Sequence, residues 1–129
     1  FKAKNRQVYI FHKKNIDKKK LKKFINTKAI LLPIDWKNNF LDINKVILKM
    51  ASLGVQRILV EGGAELITQL INKKLVDTLY WFRASKLIGN EGLNAVSNLS
   101  ITKMKSVKEL KLISSMQIQS DTLEVYGRK

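Results

Sequence analysis

In the run Gln7–His12, Val8 and Ile10 alternate with Tyr9 and Phe11, a period of two that predicts a strand. Ile16, Leu21, Phe24 and Ile25 then mark one side of a lysine-rich surface helix expected over Asp17–Phe24. Ala29–Leu32 is a short apolar run halted at Pro33, which predicts a buried strand. Asp42 is placed to cap a helix in which Ile43, Val46, Ile47 and Met50 recur at helical spacing. Gly54 supplies the stop.

A second buried strand is expected at Arg57–Val60, broken by Gly62 and Gly63, with a helix following over Ala64–Ile71. Leu75–Ala84 has strand propensity throughout, and Ile101–Met104, Leu110–Ile118 and Leu123–Tyr126 continue in the same character. Strand and helix alternate first, and strands then follow strands. That order predicts an α/β domain whose mostly parallel sheet has crossover helices and antiparallel C-terminal strands. No repeat, low-complexity linker or composition shift divides the chain, so residues 1–129 are read as one domain.

Composition narrows the functional classes. A chain of 129 residues with 45% hydrophobic content can close one modest core. It has no cysteine, hence no disulfide framework, thiolate nucleophile or cysteine zinc site. The lone histidine, His12, is read as a strand-end surface residue, because a catalytic zinc needs about three protein ligands. No apolar run approaches the ~20 residues that cross a bilayer, and the basic opening has no signal-type apolar core. No membrane is expected, and a cytoplasmic setting fits.

The net charge of +15 raises a nucleic-acid reading, and the first 28 residues carry +10 of it. Lysine outnumbers arginine 21 to 4, and aromatic residues are not interleaved with the basic run. Arginine is the residue suited to forked phosphate and base contacts, and stacking aromatics are absent where they are needed. The charge is therefore read as a solvated lysine face, and no nucleic-acid partner is expected.

The informative stretch is Ile58-Leu59-Val60-Glu61-Gly62-Gly63-Ala64-Glu65-Leu66. It reads as a strand ending in an acid, two glycines, and a helix beginning at once. Ligands of open α/β sheets bind beyond the carboxyl ends of the strands. The first helical turn leaves N–H groups free, and glycine lets a phosphate approach that backbone closely. Glu61 is placed to accept hydrogen bonds from an N–H-rich ligand such as a uracil-type ring. The spacing matches neither the dinucleotide fingerprint nor the P-loop. A plain strand-to-helix turn with an exposed glutamate is the alternative reading. Asp77 and the Lys86–Gly92 segment, with Gly89 and Gly92, form a second cluster that alone reads as turn residues.

Together these pieces resemble a known family. The run from Leu59 to Gly92 is similar to the C-terminal reductase domain of the bifunctional riboflavin-biosynthesis deaminase/reductase. The matching residues are Val60, Glu61, Gly62, Gly63 and Leu66; then Leu75, Val76 and Asp77; then Ala84, Lys86, Leu87, Ile88 and Gly89. The segment Asp121–Tyr126 resembles the family's terminal strand. Ser85 stands where the family usually has proline, and Thr78 where it has glutamate.

The resemblance implies a dihydrofolate-reductase-like fold and a homodimer. It implies reduction of 5-amino-6-(5-phosphoribosylamino)uracil to the ribitylamino compound, with NADPH as hydride donor. By the same resemblance Glu61 contacts the substrate. Gly62, Gly63, Ala64, Glu65, Leu66, Ile67, Thr68 and Gln69 hold NADPH, and no catalytic acid or base is assigned. The family's opening K-x-A-x-S-x-D-G segment and its deaminase half have no counterpart here, and the chain starts at Phe1. The chain is therefore expected to be the C-terminal part of a reductase domain. The alternatives are a truncated piece that folds and dimerises without turnover, another reductase on the same fold, and a basic nucleic-acid-binding module.

Overall fold

The computed structural model describes residues 6–37 and 39–129 of the chain. The chain separates into two compact units, Phe1–Ile58 and Leu59–Lys129.

In the first unit, β1 (Val8–Lys13) pairs in parallel with β2 (Ala29–Ile34), from Val8 opposite Ala29 to Lys13 opposite Ile34. The crossover between them holds α1 (Lys18–Leu21) and a 3₁₀ turn at Lys22–Phe24. The helix expected over Asp17–Phe24 is thus a single turn, because seven lysines among Lys13–Lys23 repel one another over few apolar anchors. Asp17 caps it, its carboxylate accepting from the Lys19 N–H at 2.9 Å. A small hairpin that the apolar pattern did not reveal joins β3 (Trp36–Lys37) to β4 (Phe40–Leu41). Its turn includes Asn39 at φ 65°, a conformation asparagine tolerates, and the Asn-Asn pair was the available signal.

Helix α2 (Ile43–Ser52) begins where the sequence places it, with the Asp42 carboxylate accepting from the Asn44 N–H at 3.1 Å. Gly54, at φ 85°, ends it: its N–H reaches the Ala51 carbonyl at 2.9 Å, and the Val55 N–H reaches Met50 at 3.1 Å. That paired closure satisfies two carbonyls otherwise left open at the helix end. Ile34 and Ile43 are the buried apolar residues of this unit, each 7% exposed.

Asp35, just past β2, ties three elements together. Its carboxylate pairs with Lys14 at 2.6 Å and with Lys45 of α2, while its carbonyl accepts from the Asp42 N–H at 2.9 Å. Hydrogen bonds from Lys14 and then Lys45 hold its pKa at about 2, below the ordinary 3.8. A depressed carboxyl pKa adds stability above the unfolded value, and this is lost as pH falls towards the folded value. The window is therefore roughly pH 4 to 2. Acid titration of Asp35→Asn should show a flatter stability profile than the parent across that window, with a modest change at neutral pH because the pairs face solvent.

In the second unit, α3 (Ala64–Asn72) precedes an antiparallel sheet of β5 (Thr78–Arg83), β7 (Asp121–Arg128) and β6 (Leu110–Ile118), in the order β5-β7-β6. A bulge at Ile113 shifts the β6–β7 register between Leu112 and Ser114. A Cβ on Gly127 would sit 2.8 Å from the Ile113 Cδ1, so the glycine leaves the bulged side chain its room. Leu70 of α3 (6% exposed) and Leu123 of β7 (9%) are the buried apolar residues. Helix α3 closes like α2, with the Lys74 N–H on Ile71 at 3.0 Å and the Leu75 N–H on Leu70 at 2.9 Å. Here the residue after the cap is Lys74 at φ 55°, where glycine is the unstrained choice. Lys74→Gly should raise stability by about 0.5–1 kcal/mol in urea denaturation, since the side chain costs more in this conformation than glycine's added chain entropy.

Three sequence expectations need correction. Arg57–Val60 is not a buried strand: it joins no ladder, and Ile58 and Leu59 are 41% and 77% exposed. An apolar run becomes a strand only where a neighbour meets its backbone groups, and none of the described residues does so. Ile101–Met104 is irregular and leads into a 3₁₀ turn at Met104–Ser106. The long strand expected over Leu75–Ala84 shortens to β5, because its first residues close α3. The described ladders contain one parallel pair, β1–β2, and the C-terminal strands are antiparallel as expected.

Candidate functional site

The proposed ligand turn lies at the start of α3. Gly63 is the capping residue, at φ 38° and ψ 146°, and its carbonyl accepts from the Ile67 N–H at 3.1 Å. No side chain caps the helix, so the first-turn N–H groups of Ala64, Glu65 and Leu66 lack an intrahelical acceptor. A Cβ built on either Gly62 or Gly63 meets nothing within 4 Å. Space beside the two glycines is therefore open, and Gly63 needs glycine for its backbone angle rather than for room. Glu61, Gly62, Gly63 and Glu65 are exposed, while Ala64, Leu66, Ile67 and Gln69 are half-buried. Glu65 supplies the one acidic side chain of the first turn and shares the positive helix end with any anion that docks there.

Thr68 stands apart from its neighbours. It is 5% exposed, its hydroxyl donates to the Ala64 carbonyl at 2.7 Å, and it accepts from the Ser97 N–H at 2.7 Å. Both roles of the hydroxyl are used within the protein, so Thr68 fastens the loop after β5 to the helix. Ser97 is a positioning residue that the sequence did not single out. It lies 29 residues from its partner, and no local pattern marks such a contact.

The second cluster is spread over an exposed surface. Asp77, 86% exposed, pairs with Arg128 at 3.0 Å, and the Arg128 guanidinium also donates to the Val76 carbonyl at 3.0 Å. Leu87 and Ile88 are 104% and 68% exposed, and Gly89 sits at φ 70°. Ser85 donates its hydroxyl to the Ser120 carbonyl at 2.8 Å. That bond anchors the end of β5 to the β6–β7 turn, a tie proline could not make. Among the described residues no group of three or more His, Asp or Glu side chains is placed to hold a metal ion.

The sequence pattern of the RibD C-terminal domain matches residues 1–123. The chain belongs to the RibD C-terminal domain family. Its α/β fold is that of the RibD reductase structures, the dihydrofolate-reductase-like class expected from the sequence. RibD of Acinetobacter baumannii superposes with a TM-score of 0.69 at 13% identity, covering 94% of this chain and 37% of that one. A pyrimidine reductase-like protein from Corynebacterium diphtheriae gives 0.67 at 16% identity, covering 92% and 49%. The deaminase/5-amino-6-(5-phosphoribosylamino)uracil reductase of Thermotoga maritima gives 0.65 at 14% identity, covering 99% and 39%. The RibD-family chain thus spans between 37% and 49% of the length of these solved relatives. No curated protein gives a significant match. Among the described residues no helix is long and apolar enough to cross a membrane.

Proposed function

We propose that this chain serves as a pyrimidine reductase of riboflavin biosynthesis, reducing 5-amino-6-(5-phosphoribosylamino)uracil with NADPH. The observation that carries this reading is the uncapped, open N-terminus of α3 behind Gly62 and Gly63, in a chain of the RibD C-terminal domain family. The turn fits a phosphorylated cofactor: the N–H groups of Ala64, Glu65 and Leu66 are available as donors, and no side chain blocks their approach. When bound, NADPH supplies the hydride.

The protein's own residues hold and orient. Gly63 keeps the backbone in the conformation that aims the donors outward, and Ala64–Gln69 form the helix that carries them. Thr68 holds the following loop against that helix, which fixes the turn. Glu61, exposed beside the glycines, accepts hydrogen bonds from the ring N–H groups of the substrate. Both units belong to one reductase domain in this reading, in a cytoplasmic protein.

The same reading includes a homodimer. Register places Phe82, Leu123 and Met116 side by side across three strands, with Tyr80 and Val125 in the next row. Phe82, Tyr80 and Met116 remain 65%, 57% and 50% exposed, an apolar sheet face suited to a second copy. A sedimentation profile at monomer mass would rule out the homodimer.

The reaction is tested by following NADPH absorbance when the phosphoribosylaminouracil is added, with Glu61→Ala in parallel. Turnover in the parent and a raised KM for the pyrimidine in Glu61→Ala are expected. Tight NADPH binding without turnover would support instead the reading of a piece that folds but does not catalyse.

A further inference from the structure

Between the C-terminal end of α3 and the start of β6 lies a groove of about 330 Å³, near the lower end for small-molecule sites. Its apolar lining comes from Ile71, Val76, Leu79, Val107 and Leu110. Five cations and one acid line it: Lys74, Lys105, Lys108, Arg128 and Lys129 against Glu109. Arg128 is held by Asp77 and the Val76 carbonyl, and Lys129 pairs with Glu109. Lys74, Lys105 and Lys108 make no ion pair among the described residues. The wall is locally ordered. Within the 3₁₀ turn the Ser106 N–H bonds Lys103 at 2.9 Å and the Val107 N–H bonds Met104 at 3.1 Å. Helix α3 rises over nine residues, so this groove lies roughly 13 Å from the Gly63 turn along the helix.

We infer that this groove binds a small amphipathic anion: an aromatic or short acyl body carrying one phosphate, sulfonate or carboxylate. An apolar lining alone would accept any neutral hydrophobe, and a lysine cluster alone would attract any anion. The combination selects a ligand with both parts, because the body leaves water over Ile71 and Leu79 while the anionic group meets Lys105 and Lys108 at the rim. The volume suits one ring or a short chain. The site is independent of the NADPH assignment, since it uses the opposite end of α3.

The test is calorimetric titration of the 129-residue chain with phenyl phosphate, inorganic phosphate and octanoate. Lys105→Glu/Lys108→Glu and Lys19→Glu/Lys20→Glu are run in parallel, each checked for folding by circular dichroism. Phenyl phosphate should bind at least tenfold tighter than inorganic phosphate, and Lys105→Glu/Lys108→Glu should lose tenfold or more of that affinity. Lys19→Glu/Lys20→Glu, with the same change in net charge, should keep it, and saturating NADPH should leave it unchanged. Octanoate binding that follows the same variants extends the class to acyl anions, and its absence confines it to aromatic ones. No binding, equal affinity for inorganic phosphate, equal losses in both double variants, or displacement by NADPH would each overturn the proposal. If Lys105→Glu/Lys108→Glu does not fold, Val107→Asn serves in its place and should weaken phenyl phosphate but not inorganic phosphate.

Discussion

Gly63→Val should abolish measurable NADPH binding while leaving most of the fold in place. Gly63 occupies φ 38° and ψ 146°, which a β-branched residue reaches only under strain of about 1–3 kcal/mol. The chain relieves that strain by rotating the turn, and the N–H groups of Ala64, Glu65 and Leu66 then no longer converge on one phosphate. The valine side chain also enters the open space in front of them, where the parent has nothing within 4 Å. Losing two or more charge-assisted hydrogen bonds, each about 1.5–3 kcal/mol, corresponds to at least a hundredfold weaker binding. Glu61→Ala changes no backbone angle and should bind NADPH within a few-fold of the parent. Fluorescence titration of both variants checks the contrast. Equal losses in the two would mean that the turn is not specific to the cofactor.

Leu70→Ala should destabilise the protein by about 3 kcal/mol, within the range for a buried leucine cut to alanine. Leu70 is 6% exposed and few other apolar side chains of the second unit are as well covered, so the cavity has little around it to collapse. Its neighbourhood also closes α3, since the Leu70 carbonyl accepts from the Leu75 N–H at 2.9 Å. Urea denaturation should show the loss. Leu93→Ala, at a side chain 102% exposed, should stay within about 0.5 kcal/mol of the parent. A large effect at Leu93 and none at Leu70 would show that α3 packs differently.

What the sequence revealed follows from the range over which each signal acts. Both longer helices were legible because their caps and apolar spacing lie within a dozen residues: Asp42 and Gly54 bound one, and Gly63 opens the other. Strands β6 and β7 were legible in the same way. Arg57–Val60 misled because composition reports apolarity, whereas a strand also needs a partner that composition does not supply. The Asp35 cluster joins positions 14, 35 and 45, and the Thr68–Ser97 bond joins positions 68 and 97, so neither has a local pattern. The stop of α3, expected at Ile71, falls at Asn72, and the closing Lys74 adopts a conformation where glycine is the usual marker. The glycine turn was visible for the opposite reason, since its donors, glycines and flanking acid are consecutive in the chain.

The most direct measurement is an amide-resolved NMR titration of the isotope-labelled chain with NADPH. Shifts should concentrate at Gly62–Leu66 and saturate together, with the Lys105–Leu110 amides unmoved. Shifts elsewhere with the Gly62–Leu66 amides unmoved, or none at all in a folded chain, would contradict the assignment of the α3 N-terminus to the cofactor.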